Sequence, residues 1–390
     1  MYFDLHIYRK VLAFTWRRKD WPGRNRMLVR LLVFEPLIAL FQNGFMLLDY
    51  VLFPALWRQQ VVAPVFIVGH ARSGTTLMHR LMAADGERFS YFLYWEMFFP
   101  SLTLKKIVRG LGWLDANLLG GAVHARIKTW DDETFGPYRH MHDMSLWNPE
   151  EDQFVMNGAF VTQQWQLEFP LMHEIDIFHV DDLTPQRRKR WFRFYRECVK
   201  RQLVLHGSHK THLSKNPVMS GWVNGLLEAF PDARIVVMVR DPIKCIPSTL
   251  KLLEVSWKGK GWTREDYLPS LREMTEVCFE SFDLPRQALA SHPDTPQCFV
   301  DYRDLTSSPA QTVKDVYAAL GLDVSPQYAD YLKAQEEREK SHASHFEYSV
   351  EDYEVGPVEI ETRLASHYEI YRWPRTSEAE ASGENEEPRA

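Results

Sequence analysis

The chain alternates short, almost wholly apolar runs with longer stretches in which apolar residues recur every three or four positions. The first pattern is typical of strands buried on both faces of a sheet, and the second of helices that cover such a sheet. The predicted strands are residues 65–68, 89–94, 211–214, 235–239 and 298–301. Strands separated by helical stretches favour an α/β fold with a central parallel sheet.

The first predicted strand runs into a turn suited to binding an anion. The turn and the start of the next helix contain Arg72, Ser73, Gly74, Thr75 and Thr76. Gly69 and Gly74 let the backbone approach an anion closely, and the first amides of a helix have no intrahelical partner. The glycine spacing copies the P-loop, but Thr75 stands where that motif needs a lysine. The turn therefore predicts a phosphate-bearing ligand other than a nucleoside triphosphate.

A second anion grip follows the fourth predicted strand. Arg240 ends that strand in an Arg-Asp-Pro turn, and Ser248 comes eight residues later. A helix beginning after the proline would bring the Ser248 hydroxyl back towards Arg240, so that both bind one phosphate. Two grips at two strand ends predict a nucleotide phosphorylated at two places.

In these motifs the chain resembles the sulfotransferases that use 3′-phosphoadenosine 5′-phosphosulfate (PAPS). There R-S-G-T-T holds the 5′-phosphosulfate, and R-D-P with a serine eight residues on holds the 3′-phosphate. Lys215-Asn216-Pro217, followed by the F-P-D-A-R run that ends at Arg234, resembles the bacterial-type branch. The resemblance extends over residues 64–322. It implies a P-loop-like three-layer fold, PAPS as donor substrate, and Tyr302 near the adenosine.

The same resemblance suggests the catalytic groups. Arg72 and Lys215 are the candidate cations around the transferred group. Glu96, which follows the second predicted strand among aromatic residues, is the first candidate base, because an apolar setting raises the pKa of a carboxylate. His212, in a K-T-H-L segment, is the second candidate. No metal is expected, since the scattered histidines form no clear set of four ligands.

The N-terminal residues 1–60 differ from the rest. Eight Lys and Arg side chains stand among residues 1–30, and residues 31–57 are mostly apolar. The segment is either a helical extension lying on an anionic membrane or a pair of helices covering the core. Its longest uncharged run, residues 36–48, is shorter than the ~20 residues that span a bilayer.

Residues 61–375 are assigned to the catalytic domain, with an aromatic-rich helical insertion at about 100–205 forming the acceptor pocket. Residues 376–390 are predicted to be a disordered tail.

Composition narrows the function classes. The net charge of −6 gives no general attraction to nucleic acid, and the four cysteines form no close pair. These features favour a cytoplasmic protein, peripheral on a membrane if the extension binds lipid. The predicted function is sulfuryl transfer from PAPS to a hydroxyl of a lipid-like or carbohydrate acceptor. The alternatives are a kinase-like phosphotransferase and a non-catalytic, membrane-associated nucleotide-binding module.

Overall fold

A five-stranded parallel sheet forms the centre of the computed structural model, which describes residues 2–136, 139, 144–339 and 355–376. The strands are β1 Val65–Gly69, β2 Phe89–Ser90, β3 Thr211–Lys215, β4 Arg234–Val239 and β5 Gln297–Asp301. Their order across the sheet is β2-β3-β1-β4-β5, and every pair is parallel. The predicted parallel α/β sheet is confirmed.

The second predicted strand is the exception, because β2 has only two residues. The chain turns instead into a short helix at Tyr94. Leu93 forms an isolated antiparallel bridge with Pro149, and the Leu93 amide donates to the Glu96 carboxylate at 3.1 Å. These contacts end the strand, and Glu96 lies in the short helix that follows.

Helices occupy most of the remaining described chain. The first nine are α1 Leu5–Arg17, α2 Arg24–Val29, α3 Glu35–Leu52, α4 Ala55–Arg58, α5 Thr75–Ala83, α6 Tyr94–Met97, α7 Leu102–Leu118, α8 Ala122–Phe135 and α9 Gln164–Glu168. The others are α10 Pro185–His206, α11 Val223–Ala229, α12 Pro242–Gly259, α13 Arg264–Ala290, α14 Tyr302–Ser307, α15 Pro309–Ala319, α16 Pro326–Glu339, α17 Pro357–Arg363 and α18 Ala365–Tyr371. A π-helical turn, Arg30–Phe34, joins α2 to α3. The 3₁₀ segments are Asp152–Ala159, Val180–Asp182 and Pro217–Trp222.

Alternate residues of β1 and β4 point to opposite faces of the sheet and give two apolar layers. Val65 and Ile67 pack in the layer that contains α5, α15 and α16. Phe66 and Val68 pack in the larger layer, which contains α10 and α13. Helices on both faces of one sheet make the three-layer architecture that the sequence predicted.

The N-terminal helix α1 is part of the larger layer. Ile7, Val11 and Phe14 are buried in it, and Asp4 caps the helix. Asp4 also accepts bonds from Arg187 and from the Trp191 indole at 2.7 and 2.8 Å. Residues 4–17 therefore cover the core, which is one of the two alternatives that the sequence left open.

The next helical stretch, Arg24–Leu52, is largely exposed. It is long and apolar enough to cross a membrane by length and composition alone, and only 28% of its most apolar window is buried. The sequence estimate was too short because it ended the run at Glu35 and Asp49. Both carboxylates are buried within the folded helix and do not interrupt it. The predicted tail beyond residue 376 lies outside the described residues.

Candidate active site

The turn after β1 has the backbone of an anion-binding loop. Gly69 and Gly74 have φ of +126° and +90°, in the region that favours glycine. A Cβ on Gly69 would stand 2.1 Å from the Met238 carbonyl oxygen, and one on Gly74 would stand 2.5 Å from the Tyr302 ring. Helix α5 begins at the next residue, Thr75, so its first-turn amides face this turn.

Ser73 shapes the turn from inside. Its hydroxyl and its amide both donate to the His70 carbonyl oxygen, at 2.6 and 3.3 Å, and its side chain is fully buried. Thr75 is buried as well, whereas Thr76 is half-buried beside it. The Ser73 hydroxyl is thus engaged within the turn, and the assignment of Ser73 to the donor site stays a prediction. The amides of Gly74, Thr75 and Thr76 remain the candidate donors.

The two predicted phosphate grips meet in space. The Arg72 Nε donates to the Ser248 hydroxyl at 3.1 Å, and Arg240 donates to the Arg72 carbonyl oxygen at 3.0 Å. The Arg240 guanidinium lies 4.3 Å from the centre of the Tyr302 ring. These residues come from the ends of β1, β4 and β5 and from α12. The structure therefore assembles one cationic, aromatic-walled cradle from segments far apart in sequence.

Lys215, the last residue of β3, lies at the same edge of the sheet. It is fully buried, and its ammonium contacts one oxygen each of Glu150 and Glu151, at 3.0 and 3.1 Å. Burial alone would lower the pKa of Lys215, but the two carboxylates raise it above its ordinary value. Lys215 is therefore held as a cation.

Asp152, the residue after Glu151, attaches the segment that carries Glu150 and Glu151 to β3. Asp152 accepts a hydrogen bond from the Ser214 hydroxyl at 2.9 Å and also binds the Tyr195 hydroxyl. The His212 Nε2 lies 3.0 Å from the same carboxylate, and the ring packs edge-on against Phe92. His212 is thus enclosed in the core, whereas the sequence suggested a base facing a substrate.

Glu96 is fully buried among donors. It accepts bonds from Leu93 N, Arg109 and Gln202 at 3.1, 3.0 and 2.5 Å, and His206 Nε2 lies 3.0 Å away. Burial raises the pKa of Glu96, but the bond from His206 and the charge of Lys105 outweigh it and bring the pKa to about 2. The expectation of a raised pKa is wrong, because aromatic neighbours in sequence did not reveal these donors from α7 and α10.

Glu150 and Glu151 are the residues that the sequence left without a role. In the sequence they are marked only by the Asn-Pro-Glu-Glu-Asp run inside the long insertion. The fold brings this run beside β3, where both carboxylates contact Lys215. No group of three or more His, Cys, Asp or Glu side chains that could hold a metal ion exists in the part of the chain that the structure describes.

Comparison with known proteins identifies the family of the chain. The family model described as "Sulfotransferase family" matches residues 64–326. The omega-hydroxy-beta-dihydromenaquinone-9 sulfotransferases Stf3 of Mycobacterium bovis and Mycobacterium tuberculosis are each 28% identical over 316 residues, covering 75% of this chain and 70% of theirs.

Two solved structures share the fold. Sulfotransferase STF9 from Mycobacterium avium superposes with a TM-score of 0.70 at 17% identity, covering 96% of this chain and 93% of its own. STF1 from Mycobacterium tuberculosis superposes with a TM-score of 0.66 at 18% identity, covering 93% and 92%. At these identities the likeness concerns the fold, and it confirms the P-loop-like three-layer architecture.

Proposed function

The chain belongs to the sulfotransferase family, and we propose that it transfers the sulfuryl group of PAPS to the hydroxyl of an apolar, lipid-like alcohol. The observation that carries the choice of donor is the meeting of Arg72, Arg240 and Ser248 beside Tyr302. A nucleotide with phosphates at two positions and an aromatic base needs two cationic grips and a flat apolar wall. This cradle supplies both.

The donor substrate fits the residues present. PAPS supplies a sulfuryl group on a phosphate that leaves, and the amides of Gly74, Thr75 and Thr76 with Arg72 would hold that end. Arg240 and Ser248 would hold the 3′-phosphate. The absence of a Cβ at Gly74 keeps the floor of the cradle open beside Tyr302. Cations placed where negative charge develops lower the barrier of such a transfer.

Lys215 and Glu151 have the properties that the chemical step needs. The fixed positive charge of Lys215 can stabilise the departing phosphate, while a neighbouring carboxylate takes the proton of the attacking hydroxyl. We assign that proton to Glu151, because its side chain is 17% exposed whereas that of Glu150 is 2% exposed. Glu96 and His212 remain the earlier candidates, but each is enclosed by partners within the fold.

An apolar acceptor is supported by the surroundings of this carboxylate pair. Tyr94 packs against Phe154 and Phe135 at ring-centre distances of 6.1 and 5.8 Å, close to the bridge between Leu93 and Pro149. The name of the Stf3 relatives describes a hydroxylated menaquinone as their substrate. A carbohydrate is the other acceptor class, and it would need polar groups along this approach. A cytoplasmic enzyme in peripheral contact with a membrane agrees with a lipid acceptor.

The direct test is transfer from ³⁵S-labelled PAPS to an extract of lipids and glycans, with unreacted PAPS and free sulfate removed before the organic and aqueous phases are counted separately. Label in the organic phase is expected. Label only in the aqueous phase would replace the lipid with a carbohydrate, and label in neither phase would overturn the proposal.

Donor binding is tested with adenosine 3′,5′-bisphosphate by calorimetry. Arg240→Ala is expected to lose ~2–5 kcal/mol of affinity, because it removes a charged contact to a phosphate that does not react. The matched control is Arg234→Ala, at the opposite end of the same strand, where the side chain binds the Ala63 carbonyl oxygen at 3.2 Å. Equal affinity in the two variants would refute the assignment of the 3′-phosphate.

A further inference from the structure

Three helices outside the active site expose an apolar face. The side chains of Leu47 and Val51 on α3, of Leu111, Trp113 and Leu118 on α7, and of Trp130 on α8 are between 52% and 74% exposed. Single exposed apolar side chains are ordinary, but a contiguous set on adjacent helices marks an interaction surface. We call α3, α7 and α8 together the apolar face.

Buried carboxylates join the three helices into one surface. Asp49 of α3 accepts the backbone amides of Leu102 and Thr103 at 2.9 and 2.8 Å, which caps α7. Asp115 of α7 accepts the amides of Val123 and His124 at 3.0 and 2.8 Å, which fastens the first turn of α8. These bonds hold α3, α7 and α8 next to one another, so that their exposed apolar side chains belong to one connected group of helices.

The exposed charge on this face is mostly positive, although Lys128 pairs with Asp132 and Arg109 pairs with Glu96, each at 3.0 Å. Within residues 35–58 and 102–131 the acidic side chains are Glu35, Asp49, Asp115 and Asp131, and all four are buried. The basic side chains that reach solvent there are Arg58, Lys106, Arg109, Arg126 and Lys128. The first acidic side chains to reach solvent, Asp132 and Glu133, come at the C-terminal end of α8. Apolar side chains among exposed cations complement the interface of an anionic bilayer.

A row of aromatic rings leads from this face to the active site. Trp130 lies 5.9 Å from Phe135 between ring centres, Phe135 lies 5.8 Å from Tyr94, and Tyr94 lies 6.1 Å from Phe154. Phe154 is three residues from Glu151, whose carboxylate contacts Lys215. The ring contacts end at Phe154, whose backbone amide donates to the Glu151 carbonyl oxygen at 3.1 Å, so the row reaches from the surface to the turn that carries Glu151.

We propose that the apolar face rests on an anionic membrane leaflet and that the acceptor alcohol reaches Glu151 along this aromatic row. The first part of this proposal, the docking half, concerns membrane contact and is independent of the proposed function. The second part, the acceptor half, concerns the path of the alcohol and rests on the proposed function. The contact is peripheral because Asp49 also binds Arg201 of α10 at 2.7 Å, a fully buried ion pair. A helix α3 inserted across the bilayer would have to break that pair and uncap α7.

The docking half is tested by sedimenting the full-length protein with vesicles of phosphatidylcholine, with and without phosphatidylglycerol. Binding to the anionic vesicles is expected, and it should weaken as salt is added. The double variant Leu111→Ser/Leu118→Ser should bind at least tenfold more weakly. The control is Val358→Ser on α17, because Val358 is as exposed as Leu118, at 73%, and lies away from the face. This control should bind as the parent protein does.

Other occupants of the face give distinct results. No vesicle binding by the parent protein, or equal binding by the double variant, overturns the docking half. A dimer in solution that the double variant converts to a monomer, without vesicle binding, identifies the face as a subunit interface instead. Resistance of the bound protein to alkaline carbonate extraction would show a spanning helix and would also overturn the peripheral contact.

The acceptor half is tested by sulfuryl transfer to two alcohols. The double variant should keep transfer to a short-chain, water-soluble alcohol and lose at least tenfold with a long-chain alcohol embedded in the vesicles. An equal loss of activity with both alcohols overturns the route along the face. No loss of activity with either alcohol overturns it as well. Vesicle binding without transfer to any alcohol would refute the proposed function and leave the docking half standing.

Discussion

Glu96 and Glu151 are both carboxylates near the strand ends, but their partners give them different chemistry. Glu96 is surrounded by donors from α7 and α10, so its lone pairs are already used. Glu151 shares Lys215 with Glu150 and keeps part of its side chain exposed. The sequence could locate Arg72 and Arg240 because each follows its own strand directly. It could not separate these glutamates, because their partners are distant along the chain.

The stability of the protein should depend on the ionised form of Glu96. Its pKa of about 2 lies below the ordinary value of 4.5, so its stabilising contribution is complete above pH 4.5 and is lost as the pH falls towards 2. Glu96→Gln should therefore lower the free energy of unfolding by roughly 3 kcal/mol at pH 7, at ~1.4 kcal/mol per pKa unit. Urea unfolding at pH 7, 5, 4 and 3 should show this deficit shrinking below pH 4.5.

The control for that series is Glu87→Gln, which removes an exposed carboxylate three residues before Ser90. It should change the free energy of unfolding by only a few tenths of a kcal/mol at every pH. A deficit in Glu96→Gln that stays constant down to pH 3 would contradict the pKa of Glu96.

Substitution of Glu151 should separate chemistry from binding. Glu151→Gln keeps the shape of the side chain and removes its basicity, so kcat should fall ~10²–10⁴-fold while affinity for adenosine 3′,5′-bisphosphate stays within about twofold. Turnover and calorimetry on the same preparation measure the two effects. If Glu151→Gln turns over normally while folded Glu96→Gln or His212→Ala loses activity, the base is whichever of these two earlier candidates cannot be replaced.

At the scale of elements, strand ends bring the site together. β3, β1, β4 and β5 end at one edge of the sheet and deliver Lys215, the Arg72 turn, Arg240 and Tyr302 in that order. Four strands could be predicted within one or two residues, because a polar segment where the chain turns follows each of them. β2 could not, since its early end depends on a bridge to Pro149, which lies about 55 residues further along the chain, within the insertion.

The strand-to-helix turn should tolerate no side chain at Gly74. Alanine there would occupy a φ of +90° and would place its Cβ 2.5 Å from the Tyr302 ring. A left-handed residue costs ~1–2 kcal/mol, and Tyr302 would have to move as well. Gly74→Ala should therefore weaken binding of adenosine 3′,5′-bisphosphate by at least about tenfold. Gly86→Ala is the control, because a Cβ there meets no atom within 4 Å; equal binding by both variants would contradict this account of the cradle.

Activity should also be independent of divalent metal. Arg72 and Lys215 supply positive charge that P-loop phosphotransferases obtain in part from Mg²⁺. Transfer measured during a titration with a chelator should stay within about twofold of its initial rate. A complete loss that added Mg²⁺ restores would mean that these two cations are not sufficient for the reaction.

At the scale of the whole molecule, the N-terminal extension divides into two parts with different roles. Helix α1 completes the core, and two basic side chains at its C-terminal end pair with the rest of the fold: Arg17 lies 3.4 Å from Glu174, and Arg18, the residue after the helix, lies 2.7 Å from Asp266. The stretch from Arg24 to Leu52 contributes a few side chains to the core, and its apolar surface is otherwise mostly exposed. Composition alone could not distinguish these two parts, because both contain basic and apolar residues. The residues that α1 contacts are distant in sequence and come together only in the folded chain.

If α1 is a core element, two aromatic residues two positions apart on it should behave oppositely. Phe14 is 3% exposed and packs 5.8 Å from Phe169 and 5.5 Å from Trp262 between ring centres, whereas Trp16 is 60% exposed. Phe14→Ala should lower the free energy of unfolding by ~3–5 kcal/mol, the usual cost of removing a buried ring. Trp16→Ala should change it by less than about 0.5 kcal/mol. Urea unfolding of both variants without lipid decides the matter, because a helix that only served a membrane would leave both unchanged.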